Sequence, residues 1–201
     1  MTYKKITLKS MLNNNEQLKL VLQLPFVHEA LQAGGTIAGG FVRNLLNNGN
    51  LYHYLSIPDY SNPQKIKTSS GDIDIFFENA NQIKQVLGTR EQYSYLDDLD
   101  IAPSMTNLCA NIRYNTTSML SDSINGRIKI QLVSGFYGDS EEIMETFDFT
   151  NSRCAIDSEF IYYDERFFDL EKNNLLDVRR GNGPLTGYRI MKYLNKRGLG
   201  T

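Results

Sequence analysis

Apolar side chains recur along the 201 residues with two periods, one helical and one extended. Over residues 15–32, Leu18, Leu20, Val21, Leu24, Val27 and Leu31 return at roughly helical spacing, with Pro25 breaking or kinking the run. Residues 33–40 form a predicted short strand that ends in the pair Gly39-Gly40, and residues 41–46 follow as a helical turn or two. Residues 73–77 predict a buried strand entered from a Ser/Gly turn. Residues 79–87 predict a helix, with Ile83, Val86 and Leu87 inward and Gly88 closing it. Strands are expected over 108–114 and 127–133, where Ile128, Ile130 and Leu132 alternate with Lys129 and Gln131. Asp139 and Glu142 stand at capping-box spacing before a short helix reaching Thr146. A strand over 158–163 and a short helix or turn over 167–176 complete the body. In a last helix over 188–196, Arg189, Lys192 and Lys196 share one face, and Ile190, Met191 and Leu194 pack inward.

This order predicts an α/β fold (α+β in stricter usage), a small mixed sheet with packed helices and a short C-terminal helical segment. A body over 1–178 and a basic segment over 179–201 are the expected divisions. Residues 47–70 are polar and turn-rich. With Tyr52, Tyr54, Tyr60, Lys65 and Lys67 they suit either a mobile surface loop or a grip on a nucleotide or single strand. His28 and His53 receive no role.

Composition changes little. The apolar and charged fractions are ordinary for a globular protein, and the formal net charge of −2 neither points to nor excludes nucleic acid. Distribution says more, because Arg179, Arg180, Arg189, Lys192, Lys196 and Arg197 occur with no acidic residue among them. Such a face suits phosphate or RNA, and equally suits a solvated helix end. Asp97, Asp98 and Asp100 form an acidic patch expected to be solvated. Cys109 and Cys154 are expected to be reduced and buried. Residues 1–15 lack an apolar leader core and residues 18–27 are too short to span a bilayer, so no membrane partner and a cytoplasmic location are expected.

The chemistry begins at Asp72-Ile73-Asp74. Residues two apart on a strand point to one face, so two carboxylates project side by side and repel unless a cation lies between them. A divalent metal explains the pair, as do two solvated acids on an edge strand. Upstream, Gly39-Gly40 with Arg43 one turn later suits a phosphate, and suits a plain strand-to-helix turn as well. Downstream, Asp148 lies between Phe147 and Phe149, and a carboxylate in that setting needs either a partner or water.

Taken in order, Gly39-Gly40-Phe41-Val42-Arg43-Asn44, Asp72-Ile73-Asp74, Asp148-Phe149-Thr150, Phe168-Asp169-Leu170 and the stretch from Gly183 to Arg189 resemble the polymerase-β-type nucleotidyltransferases. The branch they are most similar to is the head domain of class II CCA-adding enzymes and bacterial poly(A) polymerases. The resemblance implies that Gly39, Gly40 and Arg43 hold a triphosphate and that Asp72 and Asp74 bind two Mg2+ ions. It also places Asp148 at the incoming nucleotide, and the basic face of the last helix adds Arg189 and Lys192 as expected nucleotide contacts. The implied reaction moves NMP from an NTP, ATP or CTP, to a hydroxyl acceptor, foremost an RNA or tRNA 3′ end. Modification of a protein or small molecule is the alternative, with nucleotide or RNA binding without turnover as a third. The chain departs from the pattern at Asn44 (aspartate in the family), at Thr146 and Phe147 (paired arginines) and at Gln131 (often a third acid), which leaves Asp148 as the candidate third catalytic acid beside Asp72 and Asp74. The segment over 47–70 is also longer than usual. The family's helical neck, body and tail would continue beyond residue 198, so the basic tail, a partner or an oligomer is expected to grip an RNA acceptor.

Overall fold

The computed structural model describes residues 2–47, 55–59, 62–67, 71–88, 100–103, 109–115, 127–181 and 184–196. Its first two elements, β1 (Tyr3–Thr7) and α1 (Leu8–Leu12), lie in an N-terminal stretch with no clear periodicity. Pro25 then divides the helix expected over 15–32 into α2 (Glu16–Leu22) and α3 (Pro25–Gln32). Proline is tolerated in a first helical turn because its missing N–H would be unpaired there anyway. Asn15 caps α2 by accepting from the Leu18 N–H at 2.9 Å.

Next come β2 (Thr36–Ala38), α4 (Gly40–Leu46), β3 (Leu55–Asp59), β4 (Asn62–Lys67), β5 (Ile73–Phe77) and α5 (Ala80–Gly88). They are followed by β6 (Asp100–Pro103), β7 (Cys109–Asn115), β8 (Arg127–Tyr137) and α6 (Ser140–Glu145). A 3-10 turn (Thr150–Ser152), β9 (Cys154–Ile156), β10 (Phe160–Asp164), α7 (Phe167–Lys172) and α8 (Pro184–Lys196) finish the chain. Asp139 and Glu142 form the expected capping box on α6.

The strands form one mixed sheet in the order β1-β10-β9-β2-β5-β8-β3-β4, with β7 on the other edge of β8 and β6 beyond it. The stretch expected to be a loop over 47–70 is therefore a hairpin where it is described, since β3 pairs with β4 and with β8. Its two prolines concealed it. Pro63 lies on the outer strand β4, and Pro58 adjoins a register shift, positions at which a missing N–H breaks little of the ladder. Tyr52, His53, Tyr54 and Tyr60 lie outside the described residues, as do Asp97 and Asp98. Asp100 opens β6 opposite Arg113.

Strand alternation sorts the core into two faces. Ile37, Ile73, Ile75, Phe77, Ile130 and Leu132 join one cluster with α1 to α5. Full burial of Ile73, Ile75 and Phe77 contributes about 5–9 kcal/mol before the cost of ordering the chain, which is what anchors β5. Ala38, Phe76 and Ala155 face the other way, onto Ile143 and Met144 of α6. This second face carries the chemistry, because Asp72 and Asp74 share their side of β5 with Phe76.

α8 begins a turn earlier than expected and rests on different residues. Thr186 and Tyr193 are its buried side chains, whereas Met191 is 57% exposed. Cys154 is a buried free thiol. Among the described residues no helix is long and apolar enough to cross a membrane.

Candidate functional site

The turn between β2 and α4 requires its first glycine. Gly39 has φ 83 and ψ −134, a region that side chains with a Cβ rarely adopt, and a Cβ there would lie 3.1 Å from the Phe147 ring. The Gly39 N–H donates to the Cys154 carbonyl at 3.0 Å, tying the turn to β9. Gly40 differs. It starts α4, and nothing lies within 4 Å of where its Cβ would stand.

β5 lies between β2 and β8, so Asp74 is in register with Ala38 on one side and Gln131 on the other. Asp74 is half-buried between the fully buried Ile73 and Ile75. Gln131 donates its side-chain N–H to the Asp72 carboxylate. The neutral amide thus stands beside both acids on the face they share. Among the described residues no group of three or more His, Cys, Asp or Glu side chains could hold a metal ion. The donor set still fits magnesium in kind, since two carboxylates are hard oxygen ligands and substrate phosphates commonly complete its shell.

Asp148 is held by the segment that follows α6. Its side chain is 1% exposed, and it accepts from Arg189 Nη1 at 2.7 Å and Thr186 Oγ1 at 3.2 Å. α8 therefore docks onto the body through a buried carboxylate. The Asp148 carbonyl accepts from the Arg179 N–H at 2.8 Å. Arg153, itself buried, fixes the approach to this segment. Its guanidinium pairs with Glu145 at 2.8 Å and donates to the Phe147 carbonyl at 3.3 Å.

Arg43 does not project as a lone cation. Its Nε and Nη2 donate to Glu171 at 2.9 and 3.0 Å, and the guanidinium lies 4.3 Å from the centre of the Tyr193 ring. Burial alone would raise the Glu171 carboxyl, but hydrogen bonds from Arg43, Asn151 and Tyr193 hold it below its usual value.

These parts enclose a cavity of about 300 Å³ lined by Gly40, Arg43, Asp74, Phe147, Asp148, Arg189, Lys192 and Tyr193, among others. The size lies at the low end for small-molecule sites. Gly39 adjoins Gly40 in sequence and Asp72 lies two residues before Asp74, but neither is among the lining residues. Lys192 is exposed at the rim. Two residues, one in the wall and one behind it, were not anticipated. Tyr193 follows Arg189 by four positions, a helical spacing that was available as a signal. Glu171 carried no signal in the chain order.

A second cavity of about 330 Å³ lies at the other end of β2, near Thr36, Asp139, Ser140, Glu141, Asp157 and Tyr162. It contains none of the candidate site residues named from the sequence, and its mainly acidic lining repels polyanions.

A family profile described as Gabija anti-defense 2 family protein matches residues 3–172. No curated protein matches the sequence. Among solved structures, the Thermotoga maritima CCA-adding enzyme complexed with tRNA superposes with a TM-score of 0.56 at 16% identity, over 96% of this chain and 42% of that one. A tRNA-processing enzyme in an apo form gives 0.54 at 15% identity, over 92% and 42%. The likeness establishes a nucleotidyltransferase-like fold, and this chain spans 42% of the length of each of those proteins.

Proposed function

Because the chain belongs to the Gabija anti-defense 2 family, we propose that it counters a defence system by nucleotidyl transfer, moving NMP from an NTP to a hydroxyl acceptor with magnesium. The observation that carries this reading is the single cavity shared by Gly40, Arg43, Asp74, Asp148, Arg189 and Lys192. Those residues come from separate parts of the chain, and together they suit a polyanion beside a carboxylate pair.

Asp72 and Asp74 are the residues that would hold magnesium. When bound, the metal would supply Lewis-acid stabilisation of charge developing on the phosphoryl oxygens. The chain's own groups do the rest. The glycine turn lets phosphate approach the backbone, and Arg189 and Lys192 offer charge from α8. Phe147, Phe149 and Tyr193 give apolar walls for a base or ribose. Asp148 acts through Arg189, holding that guanidinium at the cavity. The acceptor we favour is an RNA 3′ end, supported by the tRNA-bound protein of the same fold and by the exposed Arg179 and Arg180 near Asp148. A protein or small-molecule hydroxyl is the alternative acceptor.

One observation favours a second reading, nucleotide binding without turnover. Gln131 puts a neutral amide where a third carboxylate would complete the acidic cluster, and it donates to Asp72.

Incubation with labelled NTPs and magnesium separates the readings, using tRNA lacking its terminal CCA, total RNA or cell extract as acceptor. Label on RNA that disappears with Asp72→Ala/Asp74→Ala supports the leading form, and label on protein or a small molecule supports the alternative acceptor. NTP binding without transfer supports the second reading. Absence of both binding and transfer overturns the proposal.

A further inference from the structure

We propose that Glu171 is a positioning residue of this cavity, acting on a bound triphosphate through Arg43. The inference rests on the nucleotide reading of the cavity and adds a residue to it that lies on α7, outside the lining.

Five donors converge on this one carboxylate. Oε1 accepts from Arg43 Nε at 2.9 Å, Asn151 Nδ2 at 2.7 Å and Tyr193 Oη at 2.9 Å. Oε2 accepts from Arg43 Nη2 at 3.0 Å and Asn47 Nδ2 at 2.9 Å. The side chain is 9% exposed, and that of Arg43 is 23% exposed. An ionised carboxylate only accepts, so every contact is matched, and a buried charge with so many donors stays ionised.

The consequence falls on Arg43. Its guanidinium is a planar fork, and the two-point grip of Glu171 together with the Tyr193 ring fixes the plane. That grip uses Nε and Nη2, so among the described residues Nη1 has no protein partner in a side chain lining the cavity. Glu171 also receives Asn47 from the end of α4, Asn151 from the 3-10 turn and Tyr193 from α8. It therefore ties together three of the segments that form the wall. A residue used only for stability would not need to orient a cation toward an open cavity.

The test is a double-mutant cycle read by nucleotide affinity with magnesium present, comparing a fluorescent NTP with the matching NMP. Glu171→Gln keeps the shape but turns an N–H2 group against the donors at Oε2, which releases Arg43 Nη2. NTP binding is expected to weaken about tenfold, with NMP binding changed less than about twofold, because losing one charge-assisted contact is worth roughly that factor. Arg43→Ala should cause a similar loss, and Glu171→Gln should add nothing in the Arg43→Ala background. Glu171→Asp keeps the charge and is expected to retain an intermediate NTP affinity, which keeps the test open if the glutamine variant does not fold. Equal losses for NTP and NMP, no loss, or additive effects overturn the assignment of Glu171 alone. A wild-type protein that binds no NTP overturns the reading of the cavity, and this inference with it.

Discussion

Adjacent glycines at the β2–α4 turn should respond to alanine in opposite directions. At Gly39, φ 83 and ψ −134 place an L-residue in a region costing about 1–3 kcal/mol. The new Cβ would also sit 3.1 and 3.3 Å from two atoms of the Phe147 ring. That ring is not free to withdraw, because it packs edge-on against Phe76 at a centroid distance of 5.8 Å. Overpacking of this kind adds about 1 kcal/mol or more. Gly39→Ala should therefore destabilise the fold by about 2–4 kcal/mol, lowering Tm by roughly 5–15 °C for a chain of this size. Gly40 is helical, and its Cβ would meet nothing within 4 Å. Gly40→Ala should stabilise by about 0.4–1 kcal/mol, through lost freedom in the unfolded chain. Gly40 also lines the cavity, so the same methyl group should weaken NTP binding while Tm rises. Thermal melts by circular dichroism, run beside the fluorescent NTP titration, measure both. A neutral Gly39→Ala, or a Gly40→Ala that lowers Tm, would refute the turn geometry. Unchanged NTP affinity in Gly40→Ala would refute only the placement of phosphate.

Arg153→Leu removes a guanidinium that is 3% exposed and leaves the Glu145 and Phe147 carbonyls without it. It should cost about 2–4 kcal/mol, seen as a lower urea midpoint at unchanged slope, and a loss under 1 kcal/mol would contradict the packing described. Acid should weaken the fold through two carboxyls. Glu171 is held low by its donors against the opposing effect of burial, and Asp177 is held low first by the Thr150 hydroxyl and then by Arg166. Because both folded values lie below the ordinary 4.5 and 3.8, the unfolded chain takes up protons first. Their stabilisation is complete above those ordinary values and is lost as pH falls through them toward the folded values. Tm measured from pH 6 downward should fall less steeply in Glu171→Gln than in wild type, and an identical slope would remove Glu171 from the account.

Much of this protein was decided locally. The period of residues 127–133, the Asp139/Glu142 cap and the glycine at position 39 each follow from short-range geometry, so the chain order alone pointed to them. The Asp72-Ile73-Asp74 pattern likewise put two carboxylates on one face, because strand alternation is a property of the backbone. The hairpin of β3 and β4 was hidden because its stabilising pairing is with β8, more than sixty residues away, and its prolines read as loop. Only tertiary structure could bring Glu171 to Arg43, across 128 positions, or lay Arg189 on Asp148 across 41. Those contacts depend on how helices distant in the chain pack against the sheet and against one another, and no local periodicity records that. The residue types of the site were thus legible from the start, whereas their partners, and hence the charge each offers a ligand, were set by the packing.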